Sequence, residues 1–492
     1  MTLIILGLGP GDVQDITRRA WDALENADRV LLRTEQHPCV PHLPLKHPYR
    51  SFDEVYESLE QFEEVYRTIT ERVIEAAQQH ANVVYAVPGD PFIAESTVQQ
   101  IVARAQSLQL PYQVINGMSF IEPTCAALGV DALQGLQLID ALDVATHHHP
   151  PINPQYGALL AQVYSRAVAS NVKLTLMNQY PDEFEVTLVH RAGEQTRLER
   201  LPLYEIDRSE HISHLTSLYV PALGRYRSFE AFQEIIAHLR APEGCPWDRE
   251  QTHASLRPYL MEEAYEVLQT LNDGDTEALA EELGDLLLQI VLHAQIALED
   301  GEFSMADVLE NICTKMIRRH PHVWGSTEVD NAQAVVANWE QIKQAEKSAK
   351  GNGQDGFVSV LEDVPPSFSA LMRAHKYAKR ASKLGFDYEK LADTRAKILE
   401  ELAEIEQTTH DQDRLDEAGD LLFATMDYVR WLGIEPEVAL EFANSKFARR
   451  FRYVERKVWE SGKPMTDYTL AELDQFWREA KRATTPSGDS SE

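Results

Sequence analysis

Up to about Leu223 the chain alternates short apolar runs with amphipathic stretches. TLIILGLG, RVLLR, NVVYAVPGD, YQVING and VKLTLMNQY read as strands, while ITRRAWDALENA and YRTITERVIEAAQQH carry helical spacing between them. That alternation predicts an α/β domain with a largely parallel sheet. From about Ser228 the short runs stop, and long helical periodicity predicts two all-α repeats. The expected boundaries are an α/β domain over 1–223, helical repeats over 228–345 and 361–483, a Gly-rich polar linker over 346–360, and a disordered tail over 484–492.

Within the helical half, EELGDLLLQIVLHAQ (Glu281 to Gln295) reads as a buried helix with Glu282 and Asp285 three apart at its start. Residues three apart share a helix face, here continuing into Leu286, Gln289 and Ile290. An unpaired buried carboxylate costs several kcal/mol, so the pattern predicts a cation beside these two.

An internal repeat extends the observation. MEEAYEVLQTL precedes ALAEELGDLLLQIVLHA, and LEELAEIEQTT precedes RLDEAGDLLFATMDYV. Each copy places Glu-x-x-Glu on one helix and Glu-x-x-Asp on the next: Glu263, Glu266, Glu282 and Asp285, then Glu401, Glu404, Glu417 and Asp420. Two helices joined by a short turn would bring each set together. Four converging carboxylates need cations to stay ionised, and oxygen donors without Cys or His favour Mg²⁺ or Mn²⁺. A solvated helix face is the ordinary reading of any one Glu-x-x-Glu. Its recurrence with the same Glu-x-x-Asp partner and trailing Gly-Asp-Leu-Leu argues for metal ligands.

Basic and aromatic residues recur downstream in the same order. Lys315 and Arg319, then Trp339 and Lys343, follow the first set; Lys446 and Arg450, then Trp477 and Lys481, follow the second. Each pair is spaced i, i+4 and shares a helical face. The arrangement suits a polyphosphate, with Trp over a base or closing the site. Taken singly, each Lys would be a surface residue and each Trp a core anchor.

Charge makes local cations necessary. Across 492 residues, 46 Lys and Arg stand against 78 Asp and Glu, a formal charge of −32. That balance disfavours nucleic acid and anionic membranes as partners, and repels anionic metabolites too. Cys39, Cys125, Cys245 and Cys313 are scattered and read as reduced thiols. No apolar run reaches the roughly 18 residues of a membrane span, and MTLIILGLGPGD reads as strand and turn rather than leader, so a cytoplasmic protein is expected. His147, His148 and His149 lie in a Pro-flanked stretch that reads as a solvated loop.

These motifs resemble the MazG family of nucleoside triphosphate pyrophosphohydrolases over roughly Ser228 to Lys481. CPWDREQTHASL and RRHPHVW are similar to the family's first repeat, ASKLGFDY and NSKFARRFRYVE to its second. The resemblance implies an all-α fold, a homodimer formed through the helical repeats, and Mg²⁺-dependent hydrolysis of NTP or dNTP to monophosphate and pyrophosphate. It makes Lys446, Arg450 and Lys481 phosphate ligands, and Glu400 or Glu262 the residue that orients or deprotonates the attacking water. Asn444, two before Lys446, is Cys313 in the first copy. Nucleotide-hydrolysing members carry Asn there, so the second repeat is expected to be the stronger active site.

In the first half GLGPGD (Gly7 to Asp12) follows a strand and precedes a helix. It departs from the dinucleotide fingerprint, because Asp12 stands at the third glycine position and Pro10 alters the turn. VVYAVPGDPFIAEST and VINGMSFIEPTCAALG add two further strand-to-helix turns. Together these are similar to the tetrapyrrole (corrin/porphyrin) methylase family over about 1–223. The resemblance implies two α/β subdomains and an S-adenosylmethionine cleft contacted by Leu8, Gly9, Pro10, Gly11, Gly89, Asp90 and Pro91. NGMSF stands where that family more often has PGISS. The combined order resembles YabN-type proteins. The competing reading is an S-adenosylmethionine-dependent methyltransferase of a tetrapyrrole-like acceptor, whose helical half regulates or dimerises it. A carboxylate-bridged di-iron bundle would want Glu-x-x-His, which neither repeat has; a non-enzymatic scaffold has no need of duplicated acids with trailing cations.

Overall fold

The computed structural model describes residues 2–59, 61–191, 196–350, 359–362, 364–408 and 410–484. The chain divides into two units, Met1–Gln251 and Thr252–Glu492.

The first unit holds two five-stranded sheets. Strands β1 (Thr2–Gly7), β2 (Arg29–Leu32), β3 (Arg50–Ser51), β4 (Asn82–Val87) and β5 (Tyr112–Ile115) pair in the order β3-β2-β4-β1-β5. All of these pairs are parallel. The central strand β1 is buried on both faces, as a parallel strand between helical layers requires. Leu3 and Ile5 enter one core cluster, and Leu6 enters another with Leu24, Val30 and Val84.

The second sheet was not apparent from the sequence. Strands β6 (Gln137–Asp140), β7 (Ala158–Ala161), β8 (Glu185–His190), β9 (Arg197–Pro202) and β10 (Thr216–Val220) run in the order β6-β7-β10-β8-β9. Only β6 and β7 are parallel in it; the other pairs are antiparallel. VKLTLMNQY, expected to be a strand, lies mostly in the helix Arg166–Leu176. Ser165 caps that helix by accepting from the Val168 amide, and Val168, Ala169, Val172, Thr175 and Leu176 are buried on one face.

The first unit also continues beyond the expected boundary near 223–228. The helix Phe229–Arg240 belongs to it, tied by Ser228 to Gln155 and by Glu230 to Asn153 at 3.2 Å. CPWDRE therefore lies in the first unit, on the short helix Pro246–Glu250.

The second unit is helical and contains two hairpins. Arg257–Asp273 packs on Thr276–Glu299, and Leu391–Gln407 packs on Asp411–Trp431. In the first turn Gly274 takes a left-handed φ of 70°, and Asp275 then caps the next helix through the Glu277 and Ala278 amides. The other helices include Met305–Arg319, Ala332–Lys350, Ala370–Lys383, Pro436–Ser461 and Leu470–Thr484. Of the expected linker, 346–350 are therefore helical and 351–358 lie outside the described residues. Of the expected tail, Thr484 ends a helix and 485–492 lie outside the described residues.

The expectation of a buried helix at Glu281–Gln295 holds only in part. Gln289, Val291, Leu292 and Ala294 are buried, but Leu283, Leu287 and Ile290 are 48%, 37% and 40% exposed. The acid-bearing half thus keeps an apolar stripe uncovered within the chain.

Candidate active site

Each hairpin gathers the acids that the repeat pattern singles out. Glu263, Glu266 and Glu282 offer oxygens that all lie within 4.8 Å of one another, and Glu401, Glu417 and Asp420 do the same. The fourth acids stay electrostatically close. Burial, then Asp285 and Glu266, raise the Glu263 carboxyl above its ordinary value; burial, then Glu266 and Asp285, raise Glu282. Burial and then Glu404, Glu401 and Asp420 raise Glu417. Each set therefore repels itself, the electrostatic condition expected of a cation site.

Glu401 shows that a divalent ion fits. It is 2% exposed, the Lys397 ammonium lies 2.7 Å from its Oε1, and its Oε2 is buried with no hydrogen-bond partner. An orphaned buried carboxylate oxygen costs more than about 1–3 kcal/mol, which a hard cation would offset. Glu400 sits 2.9 Å from the same ammonium and is half open to solvent, while Glu262 is exposed.

The raised acids have a stability consequence. Where folded pKa exceeds unfolded pKa, the folded state binds more protons, so stability rises as pH falls through the folded values and levels off below the unfolded ones. Histidines whose values burial lowers, His37, His190 and His293, act in the opposite sense over the same range. The expected result is therefore a difference: from pH 7 to pH 5 the metal-free melting point should change less unfavourably than the Mn²⁺-saturated one. Calorimetric scans with and without Mn²⁺ check this; an identical pH dependence in the two removes the repulsion argument.

The trailing cations are not equivalent between copies. Arg318 and Arg319 both pair with Glu346 at 2.7 Å. Those contacts, Arg319 foremost, pull the Glu346 carboxyl down to about 2. Arg319, expected as a phosphate ligand, is thus already engaged, by a residue expected to lie in a linker. Its counterpart Arg450 keeps a buried Nε without a partner. Lys315 is half-buried, whereas Asn444, Lys446, Lys343 and Lys481 are exposed. Trp339 lies 6.1 Å from the His320 ring, and Trp477 lies 5.2 Å from Phe447, which stacks on Phe451. Both tryptophans therefore have aromatic packing partners of their own.

In the first unit, register aligns three turns at one sheet edge. Gly7 pairs with Val87 and Leu6 with Ile115, so the segments after β1, β4 and β5 emerge together. Gly9 and Gly89 exchange backbone hydrogen bonds of 3.2 and 2.8 Å. A Cβ on Gly117 would stand 2.3 Å from the Gly89 carbonyl oxygen and 2.9 Å from Gly7 Cα. Asp90, 8% exposed, accepts from the Phe92 and Gly117 amides and from Asn116.

Beside these turns lies a cavity of about 460 Å³ whose wall includes Gly9, Pro10, Gly89 and Asp90. Leu8, Gly11 and Pro91 do not line it; the Leu8 side chain is 1% exposed in the core. The wall also takes Arg33, His37, Tyr66 and, from beyond Asp140, Gln162 and His214. Arg33 pairs with Glu95 at 2.5 Å and donates to the Tyr56 hydroxyl at 3.0 Å. Burial, the largest single effect, would lower the Arg33 pKa, but Glu95 together with the Tyr56 and Tyr85 hydroxyls outweighs it and raises the value. Burial depresses His37 to about 4, so its ring is neutral. Ala94 and Gln162, both on the wall, hold φ of 55° and 67°, left-handed values uncommon for non-glycine residues. Sequence reading passes over these residues. Only the place of Arg33 just after a parallel strand offers a local signal.

Comparisons with known proteins follow this division. The family model for Tetrapyrrole (Corrin/Porphyrin) Methylases matches 2–207, and the MazG nucleotide pyrophosphohydrolase domain matches 251–324. The fold and its acid hairpins thus define a methylase-like α/β unit joined to a MazG-type helical unit. The uncharacterized protein YabN of Bacillus subtilis is 40% identical over 489 residues, covering 97% of this chain and 98% of that protein. A nucleoside triphosphate pyrophosphohydrolase of Escherichia coli is 45% identical over 254 residues, covering 50% of this chain and 95% of that protein. One from Thermotoga maritima is 40% identical over 253 residues, 51% of this chain and 95% of that protein. The chain belongs to the YabN family, and in it a tetrapyrrole-methylase domain precedes a MazG domain. Among the described residues no helix is long and apolar enough to cross a membrane.

Proposed function

We propose that this protein hydrolyses nucleoside triphosphates to monophosphate and pyrophosphate, chiefly at the second quartet, and that its first unit binds S-adenosylmethionine. The observation that carries the first reading is the buried, partnerless Oε2 of Glu401 within a self-repelling acid cluster. The pyrophosphohydrolase names of the Escherichia coli and Thermotoga maritima relatives support it.

Glu401, Glu404, Glu417 and Asp420 hold Mg²⁺ or Mn²⁺, as Glu263, Glu266, Glu282 and Asp285 do in the first copy. When bound, such an ion neutralises triphosphate charge and acidifies a coordinated water. Glu400 orients the attacking water or takes its proton, with Glu262 in the equivalent place. Lys446, Arg450 and Lys481 bind phosphate oxygens as charge moves to the leaving pyrophosphate, and Trp477 covers the base. Lys315, Arg319, Trp339 and Lys343 hold the matching positions in the first copy, where the ion pair to Glu346 restrains Arg319. The test is a panel of NTPs and dNTPs with Mg²⁺ or Mn²⁺, followed by pyrophosphate release. No release from any of them rejects the reading.

The second reading rests on the cavity at the Gly9–Gly89 crossing. Labelled S-adenosylmethionine binding to the full chain tests it, and methyl turnover separates a methyltransferase from a binding domain. The homodimer rests on the open stripe of Leu283, Leu287 and Ile290. Light scattering is expected to give about twice the 55.8 kDa chain mass, and a monomer at micromolar concentration rejects it.

A further inference from the structure

The two quartets differ at a position outside the acid pattern. One turn before Glu401 stands Lys397; one turn before Glu263 stands Tyr259. The Lys397 ammonium lies 2.7 Å from Glu401 Oε1 and 2.9 Å from Glu400 Oε1. Helix geometry makes this contact natural, because i, i+3 and i, i+4 side chains meet on one face. Lys397 therefore occupies one oxygen of the most buried acid and leaves the other, Oε2, without a partner. A tyrosine cannot supply that charge in the first copy.

We propose that Lys397 is a built-in counter-cation of the second quartet that weakens its hold on free divalent ions, so that the two repeats load metal differently. A fixed positive charge within hydrogen-bonding distance of a ligand carboxylate repels an incoming dication and reduces the negative potential that attracts it. The first quartet, lacking this charge, holds its ion in the absence of nucleotide. The second fills when a triphosphate supplies enough negative charge to offset Lys397. Metal at the second site thus arrives with substrate, whereas the first site keeps a resident ion. This rests on the reading of both quartets as metal sites.

The experiment is a Mn²⁺ titration of the full-length, nucleotide-free protein, followed by electron paramagnetic resonance of free Mn²⁺. The parent should show a tighter and a weaker class of site, assigned by Glu263→Gln/Glu266→Gln and Glu401→Gln/Glu404→Gln respectively. Lys397→Met should tighten the weaker class by about tenfold, and Lys397→Arg, which keeps the charge, should leave it as in the parent. Tyr259→Lys should weaken the tighter class by a similar factor. A non-hydrolysable nucleoside triphosphate at saturation should narrow the gap between classes in the parent. If Lys397→Met leaves Mn²⁺ affinity unchanged or lowers it while both quartets bind, the counter-cation role is overturned and the metal reading stands. Absence of quartet-dependent Mn²⁺ binding in the parent overturns both.

Discussion

Glu401→Gln/Glu404→Gln is expected to lower pyrophosphate release by about a hundredfold or more, since ligands touching a metal matter at least as much as the outer partners whose loss costs about 10–100-fold. Glu263→Gln/Glu266→Gln should cost less than about tenfold on the same scale. The reason for the asymmetry lies in the trailing residues. The second copy has Asn444 where the first has Cys313, and its Arg450 keeps a buried Nε without a hydrogen-bond partner, whereas Arg319 is tied to Glu346. Glu263→Gln/Glu266→Gln should not melt below the parent, because it removes charge from a cluster that repels itself. Glu401→Gln/Glu404→Gln also removes the ion pair of Glu401 with Lys397, so its melting is measured beside its turnover. That separates lost chemistry from lost folding. If the first pair of substitutions spares turnover and the second abolishes it, the repeats have been assigned the wrong way round.

Gly117→Ala should be among the most damaging single-methyl changes in the first unit. The added carbon meets backbone on two sides, the Gly89 carbonyl at 2.3 Å and Gly7 at 2.9 Å, and no rotamer can relieve it. The turns after β1, β4 and β5 would have to separate, breaking the paired hydrogen bonds between Gly9 and Gly89. Overpacking of side chains costs about 1–3 kcal/mol, and a backbone collision should exceed about 4 kcal/mol. In calorimetry the expected result is a large fall in the melting of the first unit, together with loss of S-adenosylmethionine binding. A Gly117→Ala protein with parental melting and parental binding would show that the three turns do not pack as described.

The helical half was legible because its evidence is local. Each acid set lies within two helices adjacent in sequence, so period and repetition suffice to bring Glu263 near Glu282 and Glu401 near Glu417. The α/β half was legible only where strands are parallel and consecutive turns fall at one edge, as at Gly9 and Gly89. VKLTLMNQY misleads because β-branched and apolar residues fill a buried helical face as readily as a strand, and the deciding signal is the Ser165 cap upstream. The rest of the cavity wall is non-local. Gln162 and His214 reach it through a mixed sheet whose strand order no motif announces. The pairing of Arg319 with Glu346 was hidden for a related reason: a Gly-rich run suggests a break, yet the helix Ala332–Lys350 continues to its edge and carries Glu346 across to the arginines.

The uncovered stripe of Leu283, Leu287 and Ile290 shares its helix with Glu282 and Asp285. Closure of that stripe by a second copy would make the stiffness of the first acid set a mass-action quantity. Specific activity per chain would then decline on dilution, and recover on reconcentration, without any change in the ligands themselves.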